Sequence, residues 1–363
     1  MKASVLYEVN EPLAIVELEQ EAPQAGEVLV RIGAAGLCAS DHHIMTGTGA
    51  LPLPVVLGHE GAGTVAAVGA GVTNVAPGDR CTLSFISNCG HCRTCRRGHP
   101  QLCETNRATG ARQFDGTLRL RDGAGAEVHQ MAKLGVFGER VVAPAQACYP
   151  IPDGLSMEEA ALVGCCVTTG VGAVINQPAI SVGATVAVWG CGGVGLNVIQ
   201  GARAMNAARI IAVDVRAPAL EFAKAFGATD FVDASERDPV QAIKELTGGV
   251  DFAFDAIGNR VATQQAFESL APLGTAVMVG LAPLGEEAAI DMVSLVRGQK
   301  TLVGSYYGSA SPHETFAKVI SLWQRGALDI AGLVTRRYPL DDINRGFDDL
   351  AAGNDGRGVI VFD

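Results

Sequence analysis

The sequence predicts an α/β protein of two domains, a barrel-like β domain and a doubly wound parallel sheet of six strands, on three observations. The chain has 363 residues, beyond the roughly 250–300 at which a single core usually splits. Residues 1 to about 150 are rich in Gly, Pro and short β-like runs. From about residue 184, apolar strand patterns alternate with helical ones.

In the first region, EVLVRIGAAG, LPVVLGHEGAGTVAAVG and FGERVVAP set β-branched residues between glycine and proline breaks, the pattern of strands in a twisted barrel. In the second, ATVAVWG precedes a helix to Ala204, RIIAVD precedes PALEFAKAFGA, and DFVDA precedes PVQAIKELTGG. DFAFDAIG, TAVMVGL and TLVGSYY follow, separated by VATQQAFESLA and a short helical stretch near 291–297. Strands joined by such crossovers form a parallel sheet. Beyond residue 308 a helix around 311–325 leads to a last strand, GVIVFD, and this tail, without the strand–helix rhythm, is expected to rejoin the first domain. The expected domains are therefore 1–160 with 308–363, and 161–307.

Composition narrows the class. A chain that is 48% hydrophobic and 18% charged, with 45 glycines, is globular and not disordered. A net charge of −11 argues against a nucleic-acid partner, and the group Arg93, Arg96, Arg97 is too short to reverse that. The start MKASVLYEVNEP reaches Glu8 and Pro12 without a long apolar run. The apolar tract 180–200 is broken by Gly183, Gly190, Gly192, Gly193 and Gly195. Neither an export signal nor a membrane span is expected, and the expected location is cytoplasmic. Ten cysteines in that setting point to metal or redox use.

GCGGVG, with Gly190, Gly192, Gly193, Val194 and Gly195, follows a predicted strand and opens a predicted helix, which is the context a dinucleotide site requires. The first glycine allows the tight turn, the second lets the backbone approach a pyrophosphate, and the third lets helix and strand pack closely. Asp214 ends the next predicted strand, where an acid can bind both hydroxyls of an adenosine ribose. A 2′-phosphate there would meet a carboxylate, so NAD is expected over NADP, with Arg216 the one feature that opposes it.

Cys89, Cys92, Cys95 and Cys103 in CGHCRTCRRGHPQLC have spacings that let one loop wrap a closed, tetrahedral zinc ion, with a disulfide or redox pair as the rival reading. His91 and His99 are then bystanders. Other candidates are scattered: Cys38 in GLCASDHH, His59 and Glu60 in GHEGAG, and Cys165 or Cys166 in LVGCCVTTGVG. Three distant ligands of mixed type suit a catalytic site that keeps one position open, the Cys-Cys-His set of alcohol dehydrogenases.

In this order, GLCASDHH, GHEGAG, the four-cysteine loop, GCGGVG and Asp214 resemble the zinc-dependent medium-chain alcohol dehydrogenase family over essentially the whole chain. The resemblance implies a GroES-like catalytic domain, a Rossmann domain, two zinc ions per chain and NAD. It implies that Cys38, His59 and Cys165 hold the catalytic zinc; the register of the following TTG selects Cys165, and Cys166 sits where the family usually has glycine. Glu60 would lie near that zinc, and Asp41 would orient His59 through a hydrogen bond. Ser40 would take the alcohol proton and His43 would release it to water, leaving His42 as a solvated surface residue. Thr169 and Val194 match positions against the nicotinamide, and Arg357 one at the pyrophosphate. Phe85 matches a substrate-lining position, joined by Ile86, Leu57, Phe137 and Tyr307, an apolar pocket suited to a primary alcohol with an aryl or alkyl tail.

The implied reaction is reversible hydride transfer between an alcohol and NAD, giving an aldehyde or ketone, by a homodimer or homotetramer joined through edge strands of the cofactor domain. Two alternatives accompany it. One is oxidation of an S-hydroxymethyl thiol adduct of formaldehyde, for which Arg107 matches a carboxylate-binding position while TGTGALPLP lacks acids for the adduct's amino group. The other is an aldehyde dismutase with tightly held NADH. Ala39 stands where many members carry an Arg or His that contacts the pyrophosphate, and losing such a contact costs about 1–3 kcal/mol. Ala39→Arg is expected to tighten NAD binding and slow NADH release; unchanged affinity in a cofactor titration would show that position 39 carries no such deficit.

Overall fold

A computed structural model describes residues 1–176, 180–353 and 355–362. It divides into two compact units, one made of Met1–Cys165, Ser311–Phe316 and Ile330–Asp363, the other of Cys166–Ala310 and Ala317–Asp329. The division differs from the expected boundaries in three places. Residues 161–165, expected in the second domain, belong to the first unit, and residues 308–310 and 317–329, expected in the first, belong to the second.

In the first unit the strand Glu27–Gly36 alternates inward Val28, Val30 and Ile32 with outward Arg31, the two-residue period of a strand with one buried face. It pairs antiparallel with Glu60–Val68, with Arg140–Pro144 and with the C-terminal strand Arg357–Val361. Arg80–Leu83 and Cys148–Pro150 extend this sheet beyond Glu60–Val68, and Val334–Tyr338 lies parallel to the C-terminal strand. A smaller sheet, built around Lys2–Leu6 and Val55–Val56, shares the apolar core. Val5, Leu6, Val55, Leu57, Val136 and Phe137 are fully buried in it.

The second unit is a sheet of six parallel strands in the spatial order Asp230–Asp233, Arg209–Asp214, Thr185–Trp189, Val250–Asp255, Leu270–Met278, Thr301–Gly304. Numbered along the chain, that is 3-2-1-4-5-6, the dinucleotide-binding order, whose direction reverses between strands one and four. Ligands bind beyond the carboxyl ends of the strands at such a reversal, here after Trp189 and Asp255. Phe254 and Phe267 are buried in this unit. The helical run Met157–Ile175 is long and apolar enough to cross a membrane, but 78% of it is buried inside the protein, which marks it as a core helix.

Arg119 ties an outer loop to the central strand of the first unit. Its side chain is fully buried; Nε donates to Glu27 Oε2 at 2.8 Å, while Nη2 donates to Glu27 Oε1 at 2.7 Å and to Asp115 Oδ2 at 2.6 Å. Removing one partner of a buried pair leaves the other charge desolvated, which costs about 3–5 kcal/mol. Arg119→Ala is expected to lose that much stability in urea denaturation, and a loss below about 1 kcal/mol, the scale of an exposed pair, would show the pair to be solvated.

Candidate functional site

Cys38 precedes the helix Ala39–Met45, His59 immediately precedes the strand Glu60–Val68, and Cys165 sits in a wide π-helical turn, Val163–Val167. Gly164 allows that turn to approach the sheet, since a Cβ there would lie 2.7 Å from Leu83 O. Such π turns are frequent at functional sites. The ligand atoms of Cys38, His59, Glu60 and Cys165 all lie within 4.8 Å of one another.

Asp41, fully buried on the inner face of its short helix, accepts the Gly58 N–H at 2.9 Å and lies 3.2 Å from His59 Nδ1. Holding Nδ1 leaves Nε2 as the ring nitrogen available to a metal. The Phe85 ring stands edge-on to the His59 ring, with centroids 5.3 Å apart. The Cys38 thiol is held well below its ordinary value, chiefly by the Cys165 sulfur and then by His59, against its burial. Burial pushes the Glu60 carboxyl up to about 7 against the opposing pull of Arg357. Glu60 Oε1 is buried without a hydrogen-bond partner, and so is Asp41 Oδ2. The acidic Cys38 thiol, the Cys165 sulfur, the His59 ring and an orphaned carboxylate oxygen, crowded about one point, form a donor set that fits a zinc ion.

Arg357, expected at a cofactor phosphate, is buried at 5% exposure, and its Nη2 donates to Leu37 O at 2.6 Å and Glu60 Oε2 at 2.8 Å. Nothing in the sequence signals this pairing across 297 positions. His42 departs from the expected solvated surface position. It is half-buried and stacks on Phe347 with centroids 6.4 Å apart, because it lies on a side of the helix that faces the C-terminal segment. Ser40 is half-buried and His43 exposed, three positions apart and so on neighbouring parts of one helix face. Of the expected pocket residues, Phe85 is half-buried and Ile86 is 5% exposed, whereas Leu57 and Phe137 are fully buried core residues. Tyr307, in the second unit, is 2% exposed.

The sulfurs of Cys89, Cys92, Cys95 and Cys103 also lie within 4.8 Å of one another. Backbone N–H groups of Cys89 and Asn106 donate to the Cys103 sulfur at 3.3 and 3.4 Å, and that of Cys92 to the Cys89 sulfur at 3.3 Å. The Thr94 hydroxyl helps bring Cys92 down to about 5, while burial and the neighbouring Cys92 push Cys95 up to about 12. Sulfurs this close cannot all ionise without a cation among them, and four of them suit a closed zinc site. His91 and His99 are exposed and stand outside the group.

In the second unit, Gly190 has φ of 88° and Gly192 has open space where a side chain would project. A Cβ on Gly195 would collide with Gly190 O. These are the tight turn, the close ligand approach and the helix packing of a dinucleotide loop. Gly193 begins the helix Gly193–Ala204. A cavity of about 440 Å³ beside this turn is lined by Trp189, Gly190, Gly192, Asp214, Arg216 and Ile257, among others. Asp214, 8% exposed, accepts the Cys191 N–H on Oδ2 at 2.8 Å and the Arg216 N–H on Oδ1 at 3.0 Å. A Cβ on Gly170 would collide with Val194 O, so the helix carrying Thr169 crosses close to Val194, and both residues are half-buried.

Fold and donor sets define the class as a two-domain, metal-dependent dehydrogenase. Residues 24–153 match the alcohol dehydrogenase GroES-like domain, and residues 193–325 match the zinc-binding dehydrogenase family. The chain is 36% identical to an S-(hydroxymethyl)glutathione dehydrogenase of Saccharomyces cerevisiae, over 99% of this chain and 96% of that one. It is 38% identical to an NDMA-dependent alcohol dehydrogenase of Amycolatopsis methanolica, over 99% and 98%. The crystal structure of benzyl alcohol dehydrogenase from Acinetobacter calcoaceticus superposes with a TM-score of 0.92 at 32% identity, covering 100% of this chain and 99% of that one. The chain belongs to the zinc-dependent medium-chain dehydrogenase/reductase family, as an oxidoreductase with zinc and a nicotinamide dinucleotide as its cofactors.

With two donor sets, the purified protein is expected to carry about two zinc ions per chain, as metal analysis would measure. Cys38→Ser is expected to lose one ion and the activity while keeping its thermal transition. Cys95→Ser is expected to lose the other ion and to unfold at lower temperature. A single ion lost by both variants would refute two independent sites.

Proposed function

We propose that the protein is an NAD-dependent alcohol dehydrogenase acting on primary alcohols with an aryl or alkyl tail, and in reverse on the aldehydes. The convergence of Cys38, His59 and Cys165, with Asp41 on the far nitrogen of the histidine, carries this reading. Bound zinc supplies a Lewis acid that makes an alcohol hydroxyl acidic, and NAD accepts the hydride. The chain's own part is to hold, to shield and to move a proton. Asp41 fixes the His59 ring, and Arg357 holds one oxygen of Glu60 beside the cluster. Ser40 takes the hydroxyl proton and the exposed His43 delivers it to water, while the alcohol loses a hydride and becomes a carbonyl. The Phe85 ring against His59 gives the site an apolar wall. Asp214 supports NAD, because its carboxylate would repel a 2′-phosphate.

Oxidation of a thiol adduct is the second reading. Arg107 is exposed and has no ion pair among the described residues, so it is available to a carboxylate, and relatives named for an S-hydroxymethyl thiol adduct share over a third of their residues with this chain. A panel of alcohols and aldehydes assayed with NAD and with NADP tests both. Turnover of benzylic or alkyl alcohols with NAD is expected, and preference for NADP would overturn the role of Asp214. Turnover of formaldehyde only with an added low-molecular-weight thiol would favour the second reading. Nicotinamide absorbance retained through purification would favour tightly held NADH, with exchange between substrates.

We also propose a homo-oligomer through the edge strand Thr301–Gly304. Met292 and Val296 nearby in sequence are 75% and 71% exposed, and Leu302 on the strand is 39% exposed, an apolar surface that a second copy would cover. Val296→Glu is expected to shift the mass measured by light scattering toward the monomer; a monomeric parent protein would refute the interface.

A further inference from the structure

Lys133 is fully buried, an uncommon place for an ammonium group, and its Nζ has two carbonyl partners and an aromatic ring nearby. Nζ donates to Gly110 O at 2.7 Å and to Asn106 O at 3.2 Å, and lies 5.4 Å from the centroid of the Phe114 ring. Both carbonyls belong to the last turn of the segment that begins at Cys103 and continues as the helix Glu104–Thr109. The Lys133 carbonyl in turn accepts from Gln113 Nε2 at 3.4 Å. Lys133 and its neighbour Ala132 have φ of 63° and 56°, a left-handed pair that side-chain-bearing residues rarely adopt and that persists only where the surroundings enforce it.

A buried cation needs an anion, and among the described residues Lys133 has no carboxylate partner. Four thiolates around a divalent ion leave two negative charges on the loop. Arg93, Arg96 and Arg97 are exposed, where water and salt screen them. Lys133 lies in the low-dielectric interior, where a charge acts more strongly. Burial pulls its ammonium down to about 8, and Asn106, whose carbonyl it holds, donates its own N–H to the Cys103 sulfur at 3.4 Å.

We propose that Lys133 is the buried countercharge of the four-cysteine zinc loop, a positioning residue that holds the Cys103 end of the loop and keeps the metal in place. The proposal rests on that loop binding zinc, which the metal content of the parent protein tests separately. It concerns retention of the ion and no step of the alcohol reaction.

The test compares Lys133→Met, which removes charge and donors, with Lys133→Gln, which removes charge but keeps an N–H donor. Zinc release to a chelator is followed at a temperature where both chains remain folded. Alkylation of Cys89, Cys92, Cys95 and Cys103 is read by mass spectrometry against Cys38. Substitutions beside metal ligands weaken binding about 10- to 100-fold. Both variants are therefore expected to release the loop ion faster by that factor, with selective alkylation of the loop cysteines. Parent-like release from Lys133→Gln alone would reduce the role to a hydrogen-bonded tether and overturn the countercharge, and parent-like release from both would overturn the proposal outright. Should neither variant accumulate as folded protein, Lys133→Arg decides: retention of the ion sustains the countercharge, and rapid loss from a folded chain overturns it.

Discussion

The hydrogen-bond register of the strand Glu27–Gly36 is the constraint on which the catalytic cluster depends. Gly36 faces Glu60 on one neighbour and Val359 on the other. With those two pairings fixed, Cys38 just past Gly36, His59 at the start of one strand and Arg357 at the start of the other arrive at the same end of the sheet. A slip of one residue would turn every side chain to the opposite face, so the buried apolar alternation of Val28, Val30 and Ile32 protects the chemistry as well as the core. Gly36 matters for a second reason. A Cβ there would collide with the Glu60 carboxylate.

Bringing so many ionisable groups out of water costs several kcal/mol for each ion unless they are paired. The first unit meets that demand group by group: Asp41 with His59 and the Gly58 N–H, Glu60 with Arg357, and Glu27 with Arg119. Among the described residues, a Glu60 oxygen and an Asp41 oxygen stay without partners beside the acidic Cys38 thiol, which concentrates the residual negative charge where a metal ion fits. The same reasoning applies at the four-cysteine loop, where buried Lys133 holds two carbonyls of the segment that follows Cys103.

The second unit solves a different problem with different means. Its cofactor crevice lies at strand ends that carry two buried acids, Asp214 and Asp255, and the glycine loop offers its backbone to a ligand. Gly190 turns, Gly192 leaves room, and Gly195 admits the helix whose free N–H groups favour phosphate. The strand order 3-2-1-4-5-6 then sets the crevice at the one place where adjoining crossovers leave in opposite directions.

The sequence by itself determined what short-range geometry dictates. The glycine spacing of GCGGVG, the four cysteines between 89 and 103, and the alternation of strand and helix from residue 184 are each legible because the residues that act together lie within a turn or two. The scattered donors Cys38 and His59 could be singled out by residue type, but only family resemblance chose Cys165 over Cys166 to complete the set. Tertiary structure alone decided the rest: the pairing of Arg357 with Glu60, the stacking of His42 on Phe347, the burial of Leu57 in the core, and the bonds from buried Lys133 to the Asn106 and Gly110 carbonyls. Each depends on which strands become neighbours and in what register, and a hydrogen bond between residues 297 positions apart leaves no periodicity for a sequence to display.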